Sequence, residues 1–331
     1  MNERLTVALE RWACTNARPL VGDAGARQYF RVDHSTLGTA LVVLYPDPDP
    51  EKPDDPYYDY RALQAYLDPV VRVPTTIQFW DEGRAMLLED LGDVSLEQRL
   101  VQHPEEENRW AAEIGEQLSM WMGLLTEAAP SRAFFMLRSF DKAKFEFEWE
   151  YCRQNFFQDF LQKDPPGWLD RMMVEVHGAL ESRARFLVHR DFHVRNLMVH
   201  GDRLVTIDFQ DARKGAATYD LASILFDGYW DWSEEARQIM VERALETLGW
   251  SEVLLWEELN LSALQRNLKA LGTFGHQIVH RKRCQFAPAI PRTIRHLIHH
   301  FHRMRHGEGV IATENWLRWA EARLLSCREG A

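Results

Sequence analysis

Leu5, Leu9 and Trp12 recur at intervals of three or four residues and predict an amphipathic helix over residues 3–13. Short apolar runs follow. Tyr29-Phe30-Arg31-Val32 and Leu41-Val42-Val43-Leu44 read as paired strands about a turn containing Gly38. Ile77-Gln78-Phe79-Trp80 and Met86-Leu87-Leu88 complete a small sheet. The acidic, proline-rich stretch 46–56 reads as a surface loop before a helix at 57–67. After Leu91-Gly92-Asp93 the period changes. Trp110, Ile114, Leu118, Trp121 and Leu124 share one side of a long helix, and helical periodicity then runs to the end. It is broken only around 186–208. There Phe186-Leu187-Val188 is an apolar run, Leu197-Met198-Val199 a strand, Gly201-Asp202 a turn and Leu204-Val205-Thr206-Ile207 the return strand of a hairpin. The pattern predicts an α+β fold of two lobes, a small β-rich N-lobe over 1–91 and a large, mainly helical C-lobe over 92–331. A crevice between lobes is where ligand sites tend to form.

Polar residues flank the hairpin at informative spacing. His189-Arg190-Asp191-Phe192-His193-Val194-Arg195-Asn196 precedes it, and Asp208-Phe209-Gln210 follows it. His-Arg-Asp, four residues, Asn, a hairpin and then Asp-Phe is the spacing of a kinase catalytic loop and its metal-binding strand. On a loop, Asp191 can aim its carboxylate at an acceptor hydroxyl, to orient it or take its proton. The hairpin is expected to fold Asp208 back beside Asn196. A carboxylate and an amide oxygen then converge, which suits Mg2+, a hard cation that prefers oxygen. One Asp near a turn is ordinarily a cap or turn residue. Three polar groups at these offsets around an independently predicted hairpin favour phosphoryl transfer from ATP. That reaction asks for positioning and charge compensation more than covalent chemistry.

Composition narrows the partners. The chain has 331 residues, 46% hydrophobic and 27% charged, which describes a globular protein with a substantial core. A formal charge of -11 with no offsetting basic run argues against a nucleic-acid partner. It also means that local cations must hold any nucleotide. The start, Met1 to Leu5, carries an acid and leads to Trp12 rather than to an apolar run, so no signal peptide is expected. No stretch approaches the roughly eighteen apolar residues of a membrane span. Cys14, Cys152, Cys284 and Cys327 are scattered, which fits buried thiols in a reducing cytoplasm better than a disulfide frame or zinc site. The run His296, His299, His300, His302 and His306 is interleaved with Arg292, Arg295, Arg303 and Arg305, whose charges oppose a metal. No pattern speaks to oligomeric state.

Four stretches carry a family resemblance: Asp23 to Arg31, Leu87 to Asp93, His189 to Ala212, and Gln265 to Phe274. With them the chain resembles the aminoglycoside-phosphotransferase and choline-kinase superfamily. Within it, the chain looks most like the bacterial anomeric N-acetylmuramate/N-acetylglucosamine kinases of cell-wall recycling. The resemblance implies a bilobal protein-kinase-like fold and ATP and Mg2+ as cofactors. It implies Asp191 as catalytic base, Asn196 and Asp208 as magnesium ligands, and His189 as a structural member of the loop. Asp220 would anchor the catalytic loop or cap a helix. Leu87 to Leu91, with Glu89 and Leu91, would be the hinge that pairs with adenine, and residues 22–31 would cover the phosphates.

Two departures stand out. The strand Leu41-Val42-Val43-Leu44-Tyr45 holds no Lys for the α- and β-phosphates, and Arg27, with Arg31 behind it, is the candidate replacement. Its acidic partner has no clear counterpart, Asp59 being the nearest acid. Gly25-Ala26 stands where a fuller glycine-rich loop is usual. On the acceptor side, Arg266 and Lys269 lie three apart on one helix face, Arg195 lies within the loop, and Asp211 is a partner of the site or a turn residue. Tyr229, Trp230 and Trp232 offer an aromatic cluster for a sugar face. This basic set favours an amino sugar, anionic in N-acetylmuramate. The alternatives are an aminoglycoside or other hydroxylated metabolite, and a nucleotide-binding pseudokinase scaffold.

Overall fold

A computed structural model of the chain describes residues 3–20, 27–49, 55–124 and 138–328. Gly22 to Ala26, in the stretch expected to cover the phosphates, and residues 50–54 of the proline-rich stretch lie outside the described residues. The chain divides into two compact units, one of residues 1–95 with 197–210 and one of 96–196 with 211–331. The sequence places a boundary at 91; the contacts add the 197–210 hairpin to the first unit.

In the first unit, β1 (Cys14–Leu20), β2 (Gln28–His34), β3 (Gly38–Leu44), β4 (Thr76–Trp80) and β5 (Ala85–Glu89) form an antiparallel sheet of order β1-β2-β3-β5-β4. The β2–β3 hairpin closes on the His34–Gly38 pair, where Gly38 has φ +79°, a conformation that glycine adopts without steric cost. Val32, Ala40, Val42, Leu44, Ala85 and Leu87 pack with Leu5 and Ala8 of α1 (Glu3–Arg11) and with Trp12 into one apolar core. Helix α2 (Pro56–Leu67) starts where Asp55 accepts the Tyr57 N–H at 3.0 Å, with Pro56 supplying the first helical φ. The hairpin of β7 (Leu197–His200) and β8 (Arg203–Thr206) joins this unit through backbone bonds, Val199 N–H to Val94 O at 2.9 Å and Thr206 N–H to Arg72 O at 3.0 Å.

The second unit is helical: α3 (Leu96–Gln102), α4 (Glu107–Met122), α5 (Lys142–Cys152), α6 (Gly167–Ser182), α7 (Tyr219–Leu225), α8 (Glu234–Leu248), α9 (Glu252–Val279), α10 (Ala289–Arg303) and α11 (Gly307–Arg328). Helix α5 runs on as a π-helical segment, Arg153–Leu161. Two short strands, β6 (Phe186–Val188) and β9 (Arg213–Gly215), pair antiparallel. Helix α9, capped by Ser251, is the central element. Its Leu264, Leu268 and Leu271 belong to a core with Phe145, Phe156, Phe157, Ile290 and Leu297.

The cysteines correct one expectation. Cys14 and Cys152 are buried free thiols, but Cys284 is disulfide-bonded. Spacing along the chain does not decide which sulfurs the fold brings together. Among the described residues, no helix is long and apolar enough to cross a membrane.

Candidate active site

The loop at 189–196 leaves β6 and is held by two buried carboxylates. Asp220, in the first turn of α7, accepts the His189 N–H at 2.6 Å and the Arg190 N–H at 2.9 Å. Asp227, just beyond α7, accepts the Val194 N–H at 3.0 Å and the Tyr229 N–H at 2.8 Å. A carboxylate that spans two amides satisfies backbone donors that no strand ladder reaches. Burial raises both carboxyls to about 6, although each also accepts hydrogen bonds that favour its anion. The N-cap of α7 is Thr218, so Asp220 serves the loop and not the helix end. The anchoring sustains strain, since Arg190 takes φ +84°. The buried His189 ring packs edge-on against Trp121 at 5.5 Å and Phe192 at 5.8 Å.

Asp191 receives a hydrogen bond from the Lys269 ammonium of α9. Burial by itself would raise the Asp191 carboxyl, but the charges of Lys269 and Arg190 hold it well below the usual carboxylate range. Asn196 donates through Nδ2 to Asp191 O at 2.9 Å, which fixes its amide plane and with it the direction of Oδ1. Arg190 lies between Glu148 at 3.3 Å and Asp211 at 3.4 Å. Glu148, 4% exposed, also pairs with Lys144 at 3.3 Å and accepts Gln265 Nε2 at 2.8 Å.

In the first unit, Asp208 follows β8 with φ +63°. Its Oδ1 accepts from Gln210 Nε2 at 2.6 Å and from Arg27 Nη2 at 3.4 Å. Phe209 is buried against Tyr60 with ring centroids 4.9 Å apart. The cation beside Asp208 is therefore Arg27, which stands at the entry to β2 and 5.7 Å from the Tyr29 ring. Arg31 is committed elsewhere, to Asp90 and to Asp93, both at 2.8 Å. Glu89, ending β5, accepts the Thr75 N–H and Arg72 Nη2, both at 2.6 Å, and Leu91 beyond it is 8% exposed. Asp59 is buried in the first turn of α2.

The remaining acceptor-side candidates are dispersed. Arg195 forms a two-point bond with Glu97 at 2.7 and 2.9 Å and lies 3.7 Å over the Tyr229 ring, a structural strut. Arg266 is 3% exposed, its Nε and Nη1 have no hydrogen-bond partner, and its charge acts on Asp227 and His193. Of the Arg266–Lys269 pair, Lys269 alone reaches Asp191. The aromatic trio does not form a sugar platform. Trp232 is 2% exposed in the interior, Trp230 bonds Glu107 at 2.9 Å, and Arg195 covers Tyr229. Apolar burial outcompeted display there. Asp227 and Glu148 went unnoticed in the sequence. For Asp227 a signal existed, a lone acid in Leu225-Phe226-Asp227-Gly228-Tyr229, where a buried charge requires partners.

The profile of the phosphotransferase enzyme family matches residues 16–259. The chain is 28% identical over 291 residues to the N-acetylmuramate/N-acetylglucosamine kinase of Neisseria meningitidis serogroup B, covering 83% of this chain and 82% of that one. It is 27% identical over 292 residues to the kinase of the same name from Pseudomonas aeruginosa, covering 84% and 82%. Among solved structures it is similar to choline kinase LicA of Streptococcus pneumoniae, with TM-score 0.57 at 14% identity over 88% of this chain and 98% of that one. An ADP-bound aminoglycoside phosphotransferase gives TM-score 0.52 at 13% identity, over 88% and 96%. The fold is the protein-kinase-like α+β fold.

Proposed function

This chain belongs to the phosphotransferase enzyme family and is a small-molecule phosphotransferase, and on that premise we propose that it moves the γ-phosphoryl group of ATP to the anomeric hydroxyl of an N-acetylated amino sugar, N-acetylmuramate or N-acetylglucosamine. One observation carries the reading. Asp191 sits ionised on a loop whose backbone amides are anchored, with an ammonium on its carboxylate. The relatives that bear the sugar-kinase name support the acceptor, as does the cationic flank that Lys269 and Arg266 give the loop.

Asp191 orients the acceptor hydroxyl and takes its proton late. A carboxylate held so low is a weak base, which suits a loose, metaphosphate-like transition state. Arg27 offers a planar fork to two phosphate oxygens, in place of the point charge of a strand lysine. Asn196 Oδ1 and the Asp208 carboxylate are hard oxygen donors and fit Mg2+, which when bound would offset charge on the transferring phosphates. Glu89 and Leu91 frame the adenine hinge. Lys269, with Arg266 behind it, faces the acceptor, and Asp211 acts through Arg190.

ADP release measured with N-acetylmuramate, N-acetylglucosamine, an aminoglycoside and choline tests the reading. Turnover is expected on one or both amino sugars and should fall about 10²–10⁴-fold in Asp191→Asn. Turnover on the aminoglycoside or choline alone overturns the acceptor, and ATP binding without turnover on any acceptor overturns the enzyme.

A further inference from the structure

The second unit contains a cavity of about 200 Å³, none of whose lining residues belongs to the loop at 189–196. Four guanidinium groups reach it, from Arg237 on α8 and from Arg292, Arg295 and Arg303 on α10. Two carboxylates, Asp231 and Glu234, face them, which leaves a local excess of positive charge in a chain whose formal charge is -11. Its two histidines add none at neutral pH. His296 and His299 are both driven below the ordinary imidazole value by burial, His296 to about 3.

The arginines are held in place but not used up. Arg237 donates to Leu225 O at 3.3 Å and pairs with Asp231 at 2.7 Å. Arg292 donates to Gly228 O at 2.7 Å, Arg303 lies 3.9 Å over the Trp256 ring, and Arg295 approaches Glu321 only to 3.8 Å. Each guanidinium carries five N–H donors, so most remain available to a ligand. Forked donors converging from two helices match a tetrahedral dianion better than a single carboxylate. The volume is below the roughly 300–1,000 Å³ of drug-sized pockets, so the ligand is compact. Phe226 and Trp256 supply apolar wall for its body.

Two residues of its lining, His296 and Arg292, bond the backbone at the anchor of the loop. His296 Nε2 meets Asp227 O at 3.3 Å and Arg292 holds Gly228 O, while the Asp227 carboxylate holds the Val194 N–H. We propose that this cavity is a second ligand site, for a small phosphomonoester such as a sugar phosphate, and that its occupation acts on the catalytic loop through Asp227 and Gly228.

The probe is glucose 6-phosphate added to the full-length protein carrying 5-fluorotryptophan at its 12 tryptophans, with the Trp256 resonance assigned by Trp256→Phe. Glucose 6-phosphate should displace that resonance saturably, while glucose at matched ionic strength does not. The exposed pair Arg295→Gln and Arg303→Gln should weaken the half-saturation at least tenfold, read from the variant's own starting position. The other fluorine resonances should stay in place, and turnover without the probe should persist. With ATP and acceptor saturating, the probe should change turnover in the parent and not in the double variant. A Trp256 resonance unmoved by glucose 6-phosphate, moved equally by glucose, or moved undiminished in the double variant overturns the site. Binding at the site without any change in turnover overturns its action on the loop.

Discussion

Asp191 and the two carboxylates that hold its loop titrate in opposite directions, and the contrast has a consequence for pH. Lys269 and Arg190 keep Asp191 ionised throughout the neutral range, whereas burial lifts Asp220 and Asp227 to about 6. Protonation of either anchor turns an acceptor oxygen into a donor and releases a loop amide. The acid limb of kcat is therefore expected near pH 6 and belongs to the anchors rather than to Asp191. Stability runs the other way. A carboxyl whose folded value is raised above its unfolded value of about 3.9 stabilises fully below that value, and the contribution is lost as pH rises through about 6. Each anchor should contribute on the order of 1–3 kcal/mol across that window. Buried imidazoles held neutral, His177, His193 and His296 among them, add stability as pH rises through the same window, so the anchors are read from a difference: Asp227→Asn should gain Tm relative to the parent as pH rises from 4 to 7. A difference between parent and variant that stays constant through the window would contradict the assignment. A second prediction concerns the cation on Asp191. Lys269→Met should let the Asp191 carboxyl rise and raise KM for the acceptor, with ATP affinity nearly unchanged. An unaltered acceptor KM would deny Lys269 its role. The 189–208 spacing was legible because it is local. The Lys269–Asp191 pair was not, since 78 residues separate the two and only the path of α9 joins them.

Helix α9 shows what an element must do to deliver such a residue. Its Ser251 cap and apolar periodicity are readable in the sequence, but its depth is set by glycine. A Cβ at Gly275 would lie 2.4 Å from Asn155 O, and one at Gly272 would lie 2.8 Å from Cys152 Cα, so α9 and the α5–π-helical segment meet backbone to backbone. Gly275→Ala is expected to destabilise by about 1–3 kcal/mol through overpacking, read as a lower denaturant midpoint. Gly178→Ala in α6, where a Cβ meets nothing within 4 Å, should be neutral or raise stability by about 0.5–1 kcal/mol. Equal effects at the two sites would refute the close-approach account. The strands divide similarly. β2, β3, β4 and β5 announce themselves through short runs of aliphatic and aromatic residues. β1 does not, because Cys14-Thr15-Asn16-Ala17-Arg18 is polar, mostly exposed and broken by a register shift between Thr15 and Arg18. β9 is three residues, Arg213–Gly215, and is defined by partners on both sides, β6 and the bridge from Ser139 to Lys214.

At the scale of the whole chain, the hairpin that ends at Asp208 belongs with the first hundred residues although it is encoded a hundred residues later. Sequence continuity puts it in the helical half, whereas backbone bonding assigns it to the sheet half. Val94 O and Arg72 O receive their N–H partners from Val199 and Thr206, Tyr60 packs on Phe209, and Arg27 finds Asp208. A fragment of residues 1–95 loses all four contacts, two backbone hydrogen bonds, a ring contact and an ion pair. A small unit has little stability to spare for such losses. Residues 1–95 alone should therefore give a poorly dispersed amide spectrum and no cooperative melt. Ser95 forms an antiparallel bridge with Met198, so a turn of roughly two to four residues can join Ser95 to Leu197 without strain. The joined fragment, 1–95 closed onto 197–210, should show dispersed amides and a cooperative transition. A well-folded 1–95 would mean that the hairpin adds nothing. A disordered joined fragment would mean that the sheet half takes its stability from the helical half.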